Sequence, residues 1–270
     1  MLRYIIAAAV AMTSFVLAGN GGNVGACYSP FHLRDYPANH GIEDHVKLQY
    51  AIHDDFKVMS KHFTHVRTYY SQYFGTSPAR AAAAAGVKLY LGVYMNPEYW
   101  WLDAEVDAAI HAVKDHPGTV EAILRITEYM DWRFDNQTAL LAMELDILGV
   151  NIYPFFSSPK MVWELNHQWE KMKTKFPLSK MLLTETGHPT AGEESYARVS
   201  PGLHKSIEYY HSFKKWSSHG NESIPKFWFM TFDRTPYDKT VDRVHEHHFG
   251  FFTHDGKPKA LELEYPVTIT

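Results

Sequence analysis

Apolar runs of six to ten residues, rich in β-branched and aromatic side chains, alternate along the chain with longer amphipathic or alanine-rich stretches. Short apolar runs of this composition predict buried strands, and the amphipathic stretches between them predict helices. We expect strands at residues 23–28, 65–70, 88–95, 119–126, 146–155, 180–186 and 226–233. We expect helices at 43–62, 77–85, 103–114, 134–144 and 202–218, with Ser77 and Asp103 as N-caps and Gly86 as a C-cap.

This alternation predicts an α/β fold with a parallel sheet covered on both faces. A doubly wound sheet would carry a glycine-rich phosphate turn after its first strand, but the glycines at 19–25 lie before that strand or at its start. A closed (β/α)₈ barrel fits better, although it needs eight strands and the sequence offers seven. We therefore expect a single domain at 19–270, a (β/α)₈ TIM-barrel-like fold in which one βα unit is incomplete or missing.

The first 18 residues differ in kind from the rest of the chain. Arg3 precedes an apolar run at 4–10, and Ala18 supplies the small residue that signal peptidase prefers. The apolar run is too short for a membrane span, and no hydrophobic tail of the lipid-anchor type ends the chain. We expect a signal peptide at 1–18, a secreted protein of the extracellular space or cell wall without a membrane anchor, and glycan-acceptor triplets at Asn136 and Asn221.

Composition narrows the classes of function. Lys and Arg number 26 against 30 Asp and Glu, a formal net charge of −4, so the basic face that nucleic-acid binding requires is not expected. A single cysteine excludes a disulfide framework and a Cys-rich zinc module. The segment His245-Glu-His-His248 has a metal-binding spacing, but its charged, turn-like surroundings favour a solvated loop. We expect neither a metal nor a cofactor.

Functional residues of barrels of this type stand at the carboxyl ends of the strands. The residues at those ends are Tyr28, Ser29, Arg67, Tyr69, Tyr94, Asn96, Glu128, Asn151, Tyr153, Glu185, Asp233 and Arg234. They are polar, aromatic and acidic, without a Ser–His–Asp pattern. Rings stack on sugar faces, hydroxyl and amide groups bind sugar hydroxyls, and two carboxylates cleave a glycosidic bond. The set therefore predicts a carbohydrate site.

Glu185 is the strongest catalytic candidate among these residues. It follows a run of apolar or small residues at 181–184 and precedes a loop. A carboxylate at the end of a buried strand is costly unless it is paired or used. The alternative is a glutamate in a surface loop.

Five motifs together resemble glycoside hydrolase family 17 over residues 23 to 260. They are Gly25-Ala-Cys-Tyr28, Val66-Arg-Thr-Tyr69, Gly149-Val-Asn-Ile-Tyr-Pro-Phe155, Thr184-Glu-Thr-Gly-His-Pro189 and Phe249-Gly-Phe-Phe252. The resemblance implies a (β/α)₈ barrel that acts on β-1,3-glucan with retention of configuration, and a monomer. It matches Glu185 to the nucleophile and Tyr69, Asn151 and Tyr153 to the subsite of the cleaved sugar. As further substrate-binding residues we expect Tyr28, Arg67, Trp228 and Asp233.

The chain departs from that family where its general acid should stand. The family ends its fourth strand in Gly-Asn-Glu, and no such motif follows the expected fourth strand here; the Gly-Asn-Glu of this sequence, at 220–222, precedes the last strand instead. Glu128, four residues after Leu124, is one replacement for the acid. The rival interpretation is that the fourth strand's tip, its helix and much of the fifth strand are deleted or were lost in gene prediction. A second departure puts Met230 and Arg234 at positions where relatives carry acidic sugar contacts.

Three hypotheses therefore stand. The chain is a secreted retaining β-1,3-glucanase with Glu185 as nucleophile, or a glucan-binding barrel that has lost its acid. The third is a gene model without one exon, whose open barrel would expose strand edges.

Overall fold

The computed structural model of the protein describes residues 23–37, 44–94, 99–126, 147–220 and 223–260, with the backbone alone at 99–101, 125 and 126. The signal peptide, the helix expected at 134–144, Glu128, Asn136 and Asn221 lie outside these residues. The strands are β1 (Val24–Tyr28), β2 (His65–Thr68), β3 (Lys88–Tyr94), β4 (Val120–Ile126), β5 (Leu148–Asn151), β6 (Met181–Glu185) and β7 (Lys226–Trp228). The α-helices are α1 (His45–Met59), α2 (Ala79–Ala85), α3 (Tyr99–Asp115), α4 (Met161–Lys173) and α5 (Leu203–Lys215).

The strands pair in parallel, as the alternation of strands and helices predicts. Five of them form a sheet in the order β4-β3-β2-β1-β7, and β5 pairs with β6. A parallel bridge between Thr186 and Trp228 links β6 to β7. The order around the barrel is therefore β4-β3-β2-β1-β7-β6-β5, which confirms the α/β barrel fold.

Among the described residues, the ring of paired strands has a break between β4 and β5, here called the seam. Within the described ranges, no pairing joins these two strands. They flank residues 127–146, where the sequence predicts the incomplete βα unit. The fold is thus a partial (β/α) barrel, with its neighbouring strands in the order that a complete one would have.

Two layers of apolar side chains pack the molecule. The outer layer lies between strands and helices and includes Ala26, Ile52, Phe56 and Trp169. The inner layer fills the barrel and consists of Cys27, Tyr90, Leu124, Phe155, Leu182, Val199, Phe227, Phe229, Met230 and Phe249. Burial of both faces explains why the strands read as continuous apolar runs. No helix in the described part of the chain is both long and apolar enough to cross a membrane.

The ends of the helices follow the sequence expectations only in part. Gly86 closes α2 with φ +69°, the left-handed conformation that glycine adopts without strain. Ser77 Oγ accepts a hydrogen bond from the Ala79 N–H at 3.3 Å, although the cap position falls on Pro78. The expectation for Asp103 is wrong, because α3 already begins at Tyr99.

Helix α4 is present in the structure but is not among the helices expected from the sequence. Its buried residues are Leu165, Trp169 and Met172, which stand at the spacing of one helix face. Charged and amide residues fill the rest of the segment, so its average hydrophobicity hides the pattern. The helical spacing of the apolar residues is therefore the feature of the sequence that predicts α4.

Candidate functional site

Because the strands are parallel, their carboxyl ends lie at one edge of the barrel. Glu185 ends β6, all five residues of which are buried. Its Oε1 accepts a hydrogen bond from Arg67 Nη1 of β2, and its Oε2 accepts one from the Tyr153 hydroxyl at 2.5 Å. The side chains of Arg67 and Glu185 are only 3% and 9% exposed. The fold therefore brings three predicted site residues from three separate segments into one hydrogen-bonded group.

Arg67 keeps its charge in this buried position. Burial alone would lower the pKa of its guanidinium, but the carboxylate of Glu185 outweighs burial, and the pKa lies above its ordinary value. Arg67 Nη1 also donates to the Thr184 carbonyl at 3.1 Å, and the guanidinium carbon lies 4.6 Å from the ring centre of Tyr69. Arg67 is therefore a fixed counterion that holds Glu185 in place.

The phenols and the thiol around Glu185 stay protonated. Burial raises the pKa of Tyr69 and of Tyr153 well above the ordinary value. Burial also raises the pKa of the Cys27 thiol to about 12. Tyr153 is consequently a hydrogen-bond donor to Glu185. Cys27 packs in the barrel interior and does not act as a nucleophile.

An aromatic cavity of about 180 Å³ lies at the same edge of the barrel. Its lining consists of Ser29, Phe31, Tyr69, Tyr70, Tyr94, Phe229, Met230 and Arg234. Two of these residues adjoin the Glu185 group. Tyr69 carries the Arg67 guanidinium on its ring, and the Phe229 ring meets that of Tyr153 edge-on with centres 5.7 Å apart. Rings that present both faces and edges suit the apolar faces of sugars.

Both departures from the family pattern after β7 lie on this cavity. Met230 and Arg234 are among its lining residues. Arg234 Nη1 donates to Asp238 Oδ2 at 2.6 Å, and its guanidinium carbon lies 5.1 Å from the centre of the Phe31 ring. A paired cation thus stands in the wall where the family resemblance implies a carboxylate.

Tyr28 and Trp228 do not join this group, and the structure corrects the expectation that they bind substrate. Successive side chains of a strand point to opposite faces. Cys27 and Phe227 face the barrel interior, so their neighbours face the helices. The Tyr28 hydroxyl donates to Asp55 Oδ2 of α1 at 2.7 Å, and the Trp228 ring packs among aromatic rings of α5.

Asn151 and Asp233 have other partners. Asn151 is exposed, and its Oδ1 accepts a hydrogen bond from the Thr184 hydroxyl at 2.8 Å, one residue before Glu185. Asp233 Oδ1 accepts hydrogen bonds from Lys259 Nζ at 2.6 Å and from the Gly250 N–H at 2.8 Å. Asn151 therefore borders the Glu185 group, whereas Asp233 anchors the segment that follows β7.

The segment 245–248 is packed, so the expectation of a solvated loop is wrong. His245 is 5% exposed, and its ring centre lies 5.3 Å from that of Phe155. The described residues contain no group of three or more His, Cys, Asp or Glu side chains suited to a metal ion. Packing against the barrel rim explains the burial.

Glu246, in the 3₁₀ turn Val244–His247, is an acidic residue outside the set that the sequence predicts for the site. Burial raises the pKa of its carboxyl, His245 and Arg234 oppose that rise, and the carboxylate of Glu185 adds to it. The signal in the sequence was a carboxylate three residues before the Phe249-Gly-Phe-Phe252 motif. Charged residues on both sides give the segment the pattern of a surface turn, which hides that signal.

Comparisons with known proteins identify the same kind of barrel. No protein-family model and no curated protein sequence matches the chain. Among solved structures it is similar to an active-site mutant of a Rhizomucor miehei β-1,3-glucanosyltransferase in complex with laminaritriose. The identity is 19% and the TM-score 0.64, over 87% of this chain and 95% of the other.

Two further solved structures agree with this result. The glycoside hydrolase family 17 β-1,3-glucanosyltransferase from Rhizomucor miehei matches with 19% identity and a TM-score of 0.63, over 87% of this chain and 94% of the other. CJP38, a β-1,3-glucanase and allergen of Cryptomeria japonica pollen, matches with 14% identity and a TM-score of 0.51, over 77% and 92%. At these identities the likeness concerns the fold.

Proposed function

We propose that the protein is a secreted retaining glycoside hydrolase that acts on β-1,3-glucan, with Glu185 as its nucleophile. The observation that carries the proposal is the Glu185 carboxylate, held by Arg67 and Tyr153 at the end of β6 beside an aromatic cavity. The likeness of the fold to two β-1,3-glucan-active proteins supports the choice of substrate. The signal peptide that the sequence predicts at 1–18 supports secretion.

In this mechanism the Glu185 carboxylate attacks the anomeric carbon of a bound glucosyl unit. The glycosidic C–O bond breaks, a general acid protonates the departing oxygen, and a glycosyl ester of Glu185 forms. Water then attacks the ester and releases the sugar with its original configuration. Arg67 and Tyr153 orient the nucleophile through both of its oxygens, and the rings of the cavity bind the sugar faces.

Laminarin hydrolysis tests the proposal. We expect the wild-type protein to release reducing sugar and Glu185→Gln to lose about a thousandfold or more in kcat, because the amide cannot form the ester. Glu170→Gln, which removes an exposed carboxylate on α4 paired with Lys173, is the matched control and should retain wild-type turnover. Equal turnover by all three proteins would contradict the role of Glu185.

A second candidate is a glucan-binding barrel without catalysis. It is favoured by the lack of a Gly-Asn-Glu motif at the end of the fourth strand, which leaves the identity of the acid open. Protonation by a positioned acid is worth roughly 10²–10⁴-fold in rate. Saturable binding of laminarin by the wild type, without turnover in long incubations, would favour this candidate.

Secretion is tested separately. Expression of the full-length chain in a eukaryotic host should release a protein whose amino terminus is Gly19. Retention of Met1 in the intracellular fraction would contradict the leader.

A further inference from the structure

A second carboxyl group is built into the same edge of the barrel as Glu185. The 3₁₀ turn that carries Glu246 is tied to the ends of two strands. The Arg234 N–H, beyond β7, donates to the His247 carbonyl at 3.2 Å. The Thr190 N–H, beyond β6, donates to the His248 carbonyl at 2.8 Å. The turn is therefore fixed above the two neighbouring strands from which Glu185 and Phe229 project.

Close packing fixes the turn from two more sides. The His245 ring meets that of Phe155, in the segment after β5 that also carries Tyr153. A Cβ atom on Gly192 would lie 2.5 Å from the His245 nitrogen, so the loop after β6 fits against this turn only with glycine there. His245, the residue directly before Glu246, is thus enclosed by the ends of β5, β6 and β7.

Arg234, whose N–H holds this turn, also lines the cavity, so the turn borders the cleft. Burial raises the pKa of the Glu246 carboxyl, and the carboxylate of Glu185 adds to that rise. His245 and Arg234 act in the opposite direction, and Glu193 adds a smaller rise. The Glu246 side chain is 31% exposed, and its ion-pair contact is with His245 Nε2 at 3.6 Å. The carboxyl is therefore partly desolvated and still partly open to solvent.

We propose that Glu246 is the general acid and base that works with Glu185, in the role for which this chain has no Gly-Asn-Glu motif at the end of its fourth strand. The inference rests on the proposed function. In the first step the Glu246 carboxyl gives its proton to the glycosidic oxygen while the Glu185 carboxylate bonds to the anomeric carbon. In the second step the Glu246 carboxylate takes a proton from the water that attacks this carbon, and Glu185 leaves as a carboxylate.

Glu246→Gln with two substrates tests the assignment. Laminarin has a poor leaving group that needs protonation, whereas a 2,4-dinitrophenyl β-glucoside has a leaving group that does not. We expect kcat/KM on laminarin to fall about 10²–10⁴-fold and the release of dinitrophenol in the first turnover to remain near the wild-type rate. Sodium azide should restore turnover of the aryl glucoside and give the β-glucosyl azide, because azide attacks the ester without a general base.

Glu193→Gln is the matched control, because Glu193 also contacts His245, with Oε1 3.3 Å from Nδ1. It should keep both activities. Equal losses in Glu193→Gln and Glu246→Gln, or a loss on both substrates in Glu246→Gln alone, would indicate a purely structural role and overturn the assignment.

The remaining outcomes separate the two proposals. Wild-type activity on laminarin in Glu246→Gln would overturn the inference and leave the role of Glu185 intact. Turnover of the aryl glucoside but not of laminarin by the wild type would also overturn it, because Glu246 would then supply no proton. A wild type inert toward both substrates would refute the proposed function itself, and the inference with it.

Discussion

Arg67 and Glu185 belong to strands far apart in the sequence, yet they form a buried ion pair at the centre of the candidate site. Removing both charges from water carries a large desolvation cost, which their contact and the added hydrogen bonds from Tyr153 and to Thr184 offset. The pair is costly to break because either partner alone would be an uncompensated buried charge.

Replacing Arg67 should therefore be strongly destabilising. We expect Arg67→Met to lower the free energy of unfolding by about 3–5 kcal/mol, since it leaves the Glu185 carboxylate without a counterion. Urea unfolding followed by circular dichroism measures the loss. Lys57→Met is the control, because it removes an exposed pair with Asp54 and should cost at most about 1 kcal/mol. Similar small losses in both variants would contradict the buried pair.

At the scale of elements, the close contact of β2 and β3 positions one wall of the cleft. Gly92 of β3 lies against the backbone where β2 ends. A Cβ atom there would lie 2.6 Å from the Tyr69 carbonyl oxygen and closer still to that of Thr68. The Gly92 N–H also donates a hydrogen bond to the Thr68 hydroxyl at 3.2 Å. The position of Tyr69 therefore depends on the absence of a side chain at Gly92 in the neighbouring strand.

Gly92→Ala should push these strands apart. We expect a loss of about 1–3 kcal/mol in unfolding free energy, together with a higher KM for laminarin because Tyr69 lines the cavity. Gly86→Ala is the comparison. Its φ is +69° but no atom lies within 4 Å of the added Cβ, so it should cost about 1 kcal/mol and leave KM unchanged. An unchanged KM in Gly92→Ala would contradict the role of this contact.

At the scale of the whole molecule, the strand order has two ends. β2 is paired on both sides, by β1 and β3, whereas β4 is paired with β3 alone among the described residues. Amide groups on an outer strand edge exchange through small local openings, while those of an inner strand need wider unfolding. We therefore expect the amides of β4 to be less protected than those of β2.

Hydrogen exchange should report the seam directly. We expect peptides from β2 to exchange far more slowly than peptides from β4, measured by mass spectrometry under native conditions. The peptides of β1, which pairs with both β2 and β7, serve as a second protected reference. Equal protection of β4 and β2 would mean that β4 is paired on both sides and that the barrel is closed there.

Much of this architecture was predictable from the chain alone. Each expected strand is present. Strands buried on both faces are apolar throughout, so each one forms a continuous apolar run that is easy to recognise in the sequence. Gly86 was recognisable as a helix end because few residues tolerate positive φ. The start of α3 was not, since Asp103 has the chemistry of a cap but lies inside the helix.

The sequence predicts which residues lie at the strand ends of the candidate site, but it predicts less well to which face of the strand each side chain points. Glu185 and Tyr153 could be placed at strand ends from apolar runs and loop residues. Tyr28 and Trp228 could not be assigned to a face, because a strand buried on both faces has no polar side to set its alternation. A one-residue change of register exchanges the two faces, and only the packing of α1 and α5 settles which one each ring takes.

The sequence by itself determined the kind of fold, the order of its elements and the residues at the carboxyl ends of the strands, because hydrophobic periodicity and turn chemistry are local properties. The tertiary structure alone decided which of those residues meet. The pairing of Arg67 with Glu185, the outward turn of Tyr28, the seam beside β4 and the burial of the turn that holds Glu246 all depend on contacts between segments distant in the chain. Contacts of that kind follow from how the barrel closes, and no local pattern encodes them.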